Sequence, residues 1–292
     1  YFGQKMFQNY IEINFVEDEK GAKNFQNVNS VKDFYFQLSM VAGSRMKEKE
    51  NTLVFLDEIQ KCAAARTALK FMVEDGRFDV IASGSLLGLS YGRDADKEVE
   101  EVESIPVGYE MPVMMYSLDF EEFLWANGYS SDAISYLREF YEEKKPVPDG
   151  IHQQYEKLVR EFIVIGGMPE VVADYVQNKD FNRVNDIQCR LIEDYEDDIA
   201  QHAKSVEKPK VRKCYDSIPN QLARENKKFK YSEVEKKSTA KKYGDSIQWL
   251  VDANMVFSCK NLRIPQLPLR YNEKENEFKI YLNDTGLLMA LF

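Results

Sequence analysis

The sequence predicts an α/β core built on a parallel sheet, then a helical region, then a winged-helix-like module of short helices and a β-hairpin. Three observations predict it. Leu53, Val54, Phe55 and Leu56 form an unbroken apolar run closed by Asp57 and Glu58, the pattern of a strand buried on both faces of a parallel sheet. A second apolar run, residues 78–82 (FDVIA), follows after one helical segment, the spacing that a β–α–β crossover needs. Near the C-terminus, helical patterns give way to two strand-like stretches, residues 255–259 and 277–282 (EFKIYL).

The elements follow in order. Residues 9–15 (NYIEINF) alternate apolar and polar and read as a strand. Residues 28–40 read as a helix through Val31, Phe34, Tyr35 and Leu38, with Ser30 as N-cap and Asp33 three residues on. After the Leu53–Leu56 strand, residues 63–74 are a helix rich in Ala, Leu and Phe, closed by Asp75-Gly76. Residues 78–82 are expected as the next buried strand, with Ser83-Gly84-Ser85 at its tip. Residues 91–104 are acidic and read as a surface loop. Residues 113–118 (VMMYSL) resume strand character, and 119–126 form a short amphipathic helix before a boundary at 127–131.

Helices are expected at 133–141 and 153–165, separated by a loop at Pro146, Pro148 and Gly150. Gly166-Gly167-Met168-Pro169 breaks the second of these before a helix at 170–175. A long helix, 181–203, carries Glu193, Asp194, Glu196, Asp197 and Asp198. Such crowding can bind a metal but is more often a solvated face. From Lys208 to Lys242, Lys and Arg outnumber Asp and Glu, and helices are expected at 215–222, 231–237 and 243–252. The expected modules are 1–128, 129–214 and 215–292.

Composition narrows the function classes. The chain has 292 residues, 44% of them apolar and 13% aromatic, enough for a packed core in more than one module. A formal net charge of −10 excludes a protein that coats nucleic acid throughout, so any DNA contact is local. No stretch is long and apolar enough to span a bilayer, and YFGQKMFQNY lacks the layout of a signal peptide. A cytoplasmic protein with no membrane contact is the expectation. Cys62, Cys189, Cys214 and Cys259 form no CxxC pair, which argues against a zinc site. His152 and His202 have no acid or nucleophile at a recognisable spacing.

Asp57 and Glu58 carry the chemical signal. Two acids at the carboxyl tip of a buried strand suit a nucleotide site, the first holding Mg²⁺ and the second orienting an attacking water. This is the Walker B pattern. The same two acids also suit an ordinary helix start, where carboxylates favour the positive end of the dipole. Hydroxyls at Ser83 and Ser85 suit a γ-phosphate sensor, or a plain Ser/Gly turn.

Five stretches taken together, TLVFLDEIQKC, FDVIASGSLLG, SIPVGYEMPVMMYSLDFEEFLWANG, IGGMPEVVADY and KIYLNDTGLL, span nearly the whole chain. The series resembles prokaryotic AAA-type P-loop ATPases, related to the archaeal ATPases and STAND proteins, with a C-terminal domain of unknown function. The resemblance implies an incomplete P-loop NTPase core and ATP with Mg²⁺ as cofactors. It implies Asp57 as the metal-linked acid, Glu58 as the catalytic glutamate, and Ser83 or Ser85 as the sensor that binds the cofactor's phosphate. It sets Gly166, Gly167 and Pro169 in a GGxP turn near a nucleotide lid. Arg160 could reach a phosphate, though a surface salt bridge suits it better. Arg93 could serve as a finger across a subunit interface, which would make a homo-oligomer. The family's GxxxxGK[ST] loop, whose N–H groups cradle phosphate, is absent from the sequence. Family members also continue past DTGLL. An internal fragment, or a gene product that lost both ends, defective in nucleotide binding, is therefore expected. The alternatives are a non-enzymatic winged-helix module that binds DNA through 208–242 or regulates a partner, and an interaction scaffold without nucleotide response.

Overall fold

The computed structural model describes residues 2–17, 25, 28, 30–46, 51–85 and 108–292. Arg93 and the acidic 91–104 stretch lie outside the described residues. The chain divides into two compact units, Tyr1–Met114 and Met115–Phe292.

The first unit contains α1 (Phe2–Met6), β1 (Asn9–Asn14), α2 (Val31–Ala42), β2 (Thr52–Asp57), α3 (Ala63–Asp75) and β3 (Asp79–Ala82). The strands form a parallel sheet in the order β1-β2-β3, with Asn14 opposite Asp57 and Leu56 opposite Ala82. Alternation decides the faces. Ile11 and Ile13 of β1 and Val54 and Leu56 of β2 join Phe34, Leu38, Ala65, Ala68 and Met72 from α2 and α3 in one buried cluster. On the other face Tyr10 stacks on Phe55 with ring centroids 6.4 Å apart. Gly3 of α1 meets that face so closely that a Cβ would stand 2.3 Å from the Tyr10 ring.

Local signals set the helix ends. Ser30 caps α2 by accepting from the Asp33 N–H at 3.1 Å. Gly76, at φ 62°, ends α3 in the left-handed region, its N–H bonding the Met72 carbonyl.

Two expectations fail here. β3 is not a buried strand: Val80 is half-buried while Asp79, Ile81 and Ala82 are exposed, Ile81 to 40%. β2 pairs with it on one side, and the other side has no strand partner among the described residues. Residues 113–118 are not a strand either. Met111 is 85% and Met115 84% exposed. An apolar run reports a tendency to extend, but only a neighbouring ladder makes it a strand.

The second unit is mostly helical. It contains α4 (Phe120–Ala126), α5 (Ser131–Glu142), α6 (Asp149–Ile165), α7 (Pro169–Asn178), α8 (Phe181–His202), α9 (Lys208–Leu222), α10 (Tyr231–Val234) and α11 (Ala240–Asp252). The hairpin β4 (Val256–Leu262) and β5 (Glu273–Leu282) and a last helix, α12 (Thr285–Ala290), follow. Asp119 and Glu122 close a reciprocal capping box on α4, each side chain accepting the other's N–H at 2.9 Å. Gly150 lies inside α6 rather than in a loop, because Pro148 already ends the turn and Asp149 favours a helix start. Phe123, Ile165, Val171, Val172, Tyr175 and Val184 form the core of α4 and α6–α8. β4 and β5 pair antiparallel, with Val256 opposite Leu282. The Phe229 N–H bonds the Phe278 carbonyl at 2.9 Å, which lays the 223–230 connection along β5.

No helix among the described residues is long and apolar enough to cross a membrane. No group of three or more His, Cys, Asp or Glu residues among them could hold a metal ion. Of the acids on α8, Glu193, Asp194 and Asp197 are exposed, as a solvated face requires.

Candidate functional site

The carboxyl ends of three parallel strands meet at one carboxylate. Parallel register sets Asn14, at the end of β1, beside Asp57, at the end of β2. Asn14 Nδ2 donates to Asp57 Oδ2 at 2.8 Å. From the other side the Ser83 hydroxyl, one residue past β3, donates to Asp57 Oδ1. Both carboxylate oxygens are therefore oriented by neutral donors from the flanking strand tips. Backbone bonds fix the frame: Ser83 N–H to the Leu56 carbonyl at 2.9 Å, Ile59 N–H to the Ser83 carbonyl at 3.0 Å, and Phe15 N–H to the Asp57 carbonyl at 3.1 Å.

Glu58 follows in an unusual conformation. Its φ of 56° and ψ of 42° are left-handed, and it opens the short turn Ile59–Lys61. A non-glycine residue holds that region at a cost of about 1–2 kcal/mol. The turn stops the strand direction, so Glu58 does not continue the β2 ladder. Gln60 Nε2 donates to Glu58 Oε2 at 2.6 Å. Asp57 and Glu58 are both half-buried, Ser83 is half-buried and Ser85 is exposed.

The structure thus brings Asp57, Glu58 and Ser83 together, with Ser85 two residues further along the same turn. Arg160 is exposed and pairs with Glu156 at 3.2 Å, the surface salt bridge its position suggests. The Gly166-Gly167 turn has a different neighbour: Gly167 N–H donates to Asp284 Oδ2 at 2.7 Å inside the second unit. Two residues escaped the sequence reading. Asn14 was visible only as one residue of the strand expected at 9–15, and strand order had to be known to set it against Asp57. Gln60 stands two residues after Glu58, but periodicity gives no sign that its amide turns back.

Asp57 and Glu58 thus stand at the carboxyl end of the middle strand of a parallel sheet, where open α/β proteins place their ligand sites, and Asp57 is oriented from both neighbouring strands. Residues 1–124 match the family model of an AAA domain, and residues 156–292 match that of a domain of unknown function (DUF8612). The chain thus joins a segment similar to AAA domains to a segment similar to a domain of unknown function. No curated protein gives a significant match. Among solved structures it is similar to the Walker-type ATPase PABY2304 of Pyrococcus abyssi, with 13% sequence identity and a TM-score of 0.49 over 97% of this chain and 84% of that one.

Proposed function

We propose that the tips of β2 and β3 form a Mg²⁺–ATP hydrolysis site, with Asp57 directed to the metal and Glu58 to the attacking water. The observation that supports it is the hold on Asp57: both its oxygens are oriented by donors, Asn14 and Ser83, that carry no charge. An ion pair would neutralise the carboxylate. Neutral donors aim it and leave its charge for a cation.

The donor set fits Mg²⁺, which favours hard oxygen ligands, keeps several waters and binds through one or two carboxylates plus phosphate. When bound, Mg²⁺ would neutralise charge on the phosphates. Asp57 holds the metal side and Glu58 orients the water. Ser83 is the candidate sensor, since its hydroxyl already bonds Asp57 and can exchange that bond for one to phosphate. Ser85, exposed beside it, is the second candidate. With no GxxxxGK[ST] in the sequence, these residues supply metal and water chemistry without a phosphate cradle. ATP affinity resting on them alone is weak.

Ahead of its last helix, α12, the second unit has three helices and an antiparallel hairpin, α9–α11 with β4–β5, an order that supports a winged-helix reading. We read residues 215–292 as such a module.

Calorimetry with ATP and Mg²⁺ tests the site on residues 1–292 and on the protein expressed from its gene's own initiation codon. The reading expects tight binding only where a GxxxxGK[ST] loop is present. There, Glu58→Gln should lower turnover by about 10²-fold or more while leaving binding unchanged. Turnover that survives Glu58→Gln would sink the assignment.

A further inference from the structure

The geometry points to Gln60 as a positioning residue that holds the Glu58 carboxylate and links it to the Ser83-Gly84-Ser85 turn. The inference rests on the Mg²⁺–ATP reading of Glu58 for its consequence, but not for its geometry.

Three observations carry it. Gln60 is only 8% exposed, an unusual place for a glutamine. Its Nε2 donates to Glu58 Oε2 at 2.6 Å. The amide must face this way, because an ionised carboxylate only accepts and an amide oxygen cannot donate. Lastly, the Gln60 Oε1 left on the other side is buried without a hydrogen-bond partner among the described residues. That oxygen points at Gly84, where an added Cβ would stand 2.4 Å away.

A buried amide used only for packing would satisfy both its ends. Here one end is spent on Glu58 and the other waits as an unfilled acceptor against the turn after β3. Glu58 needs such a hold. Its left-handed backbone lies outside any regular element, so no helix or strand packing fixes its side chain. A small displacement of the turn, such as phosphate contact at Ser83 or Ser85 would cause, meets the Gln60 amide first. Through Nε2 it then reaches Glu58. The absence of a side chain at Gly84 keeps that oxygen in place. Gln60 is thus the mechanical link between the tip of β3 and the water-orienting carboxylate. It touches no reacting atom itself.

The test has two independent readouts. The first is the side-chain amide resonance of Gln60 in ¹H–¹⁵N spectra, assigned by its loss in Gln60→Leu. Both Glu58→Gln and Gly84→Ala should move it, the first by replacing a charged acceptor, the second by pushing on Oε1. The second readout is ATP hydrolysis by the protein expressed from its own initiation codon. Gln60→Leu should lower kcat about tenfold with KM for ATP unchanged, as expected when a catalytic group is misplaced rather than removed. Gly84→Ala should lower kcat in the same direction, and it keeps the experiment decisive if Gln60→Leu fails to fold, since it displaces only the far end of a flexible side chain. An amide resonance indifferent to both substitutions overturns the proposal, as does wild-type kcat in folded Gln60→Leu. If the wild-type protein hydrolyses no ATP, the Mg²⁺–ATP reading falls, and the amide response alone decides whether Gln60 holds Glu58.

Discussion

At Gly167, the smallest side chain in the protein makes one of its tightest fits. A Cβ there would stand 1.9 Å from the Leu118 carbonyl oxygen, a backbone atom that cannot swing aside. The Leu118 N–H in turn bonds the Gly167 carbonyl at 2.7 Å. Gly167 also donates its own N–H to Asp284, which caps α12 by accepting from Leu287 N–H at 3.0 Å. Burial pushes the Asp284 carboxyl up from its ordinary value, and those backbone donors pull it partly back. The GGMP and DTG sequences are therefore two halves of one tie inside the second unit. Gly167→Ala should destabilise that unit by about 1–3 kcal/mol through overpacking. A fall in the urea midpoint at constant m-value is the expected result; an unchanged midpoint would mean that the Leu118 segment yields freely.

At the scale of elements, Glu235 joins the helices that precede the hairpin. It accepts from Lys242 Nζ at 2.6 Å at the start of α11 and from Lys213 Nζ at 3.4 Å on α9. The Tyr243 hydroxyl donates to it as well. These donors, Lys242 foremost, hold its carboxyl down at about 2. A lowered folded-state value has a definite sign. The stabilisation is present above the ordinary glutamate range near 4.3 and is lost as pH falls toward about 2. The group is solvent-exposed, so its effect is screened and modest. Melting temperatures of wild type and Glu235→Gln should differ at pH 7 and converge as pH is lowered from about 5 to 2. Parallel curves across that range would show that the cluster contributes no pH-dependent stability.

At the scale of the molecule, charge decides which partner the second unit suits. The basic 208–242 region looks like a phosphate-binding surface in sequence. Folded, Lys210 pairs with Glu207, Arg212 with Glu196, Lys213 and Lys242 with Glu235, and Arg224 with Glu233. Those pairs engage five of the region's twelve Lys and Arg residues, and the net charge of −10 on the whole chain opposes the approach of a DNA backbone. Duplex DNA should bind no tighter than about 10⁻⁶ M at physiological salt, the range of non-specific binding. Tighter binding with a steep salt slope in fluorescence anisotropy would restore the DNA-binding alternative.

Local physics was legible from the start. β1, β2 and α2–α4 follow from apolar spacing and caps within a few residues of each other, which is why Ser30 and Asp119 were readable as helix starts or neighbours of one. Asp57 and Glu58 stood out because an apolar run must end where its acids begin. The strand reading of 113–118 failed for the same reason that others succeeded: a period describes one segment, not whether another lies beside it. The Asp57 site itself joins Asn14 and Ser83 across 43 and 26 residues of sequence. The sequence by itself determined β1, β2 and the capped helices around them, and which carboxylates close the middle strand. Only the tertiary structure decided that Asn14 and Ser83 aim Asp57, that Gln60 turns back onto Glu58, and that Gly167 meets Asp284. Those contacts depend on strand register and chain packing, which no local pattern of residues contains.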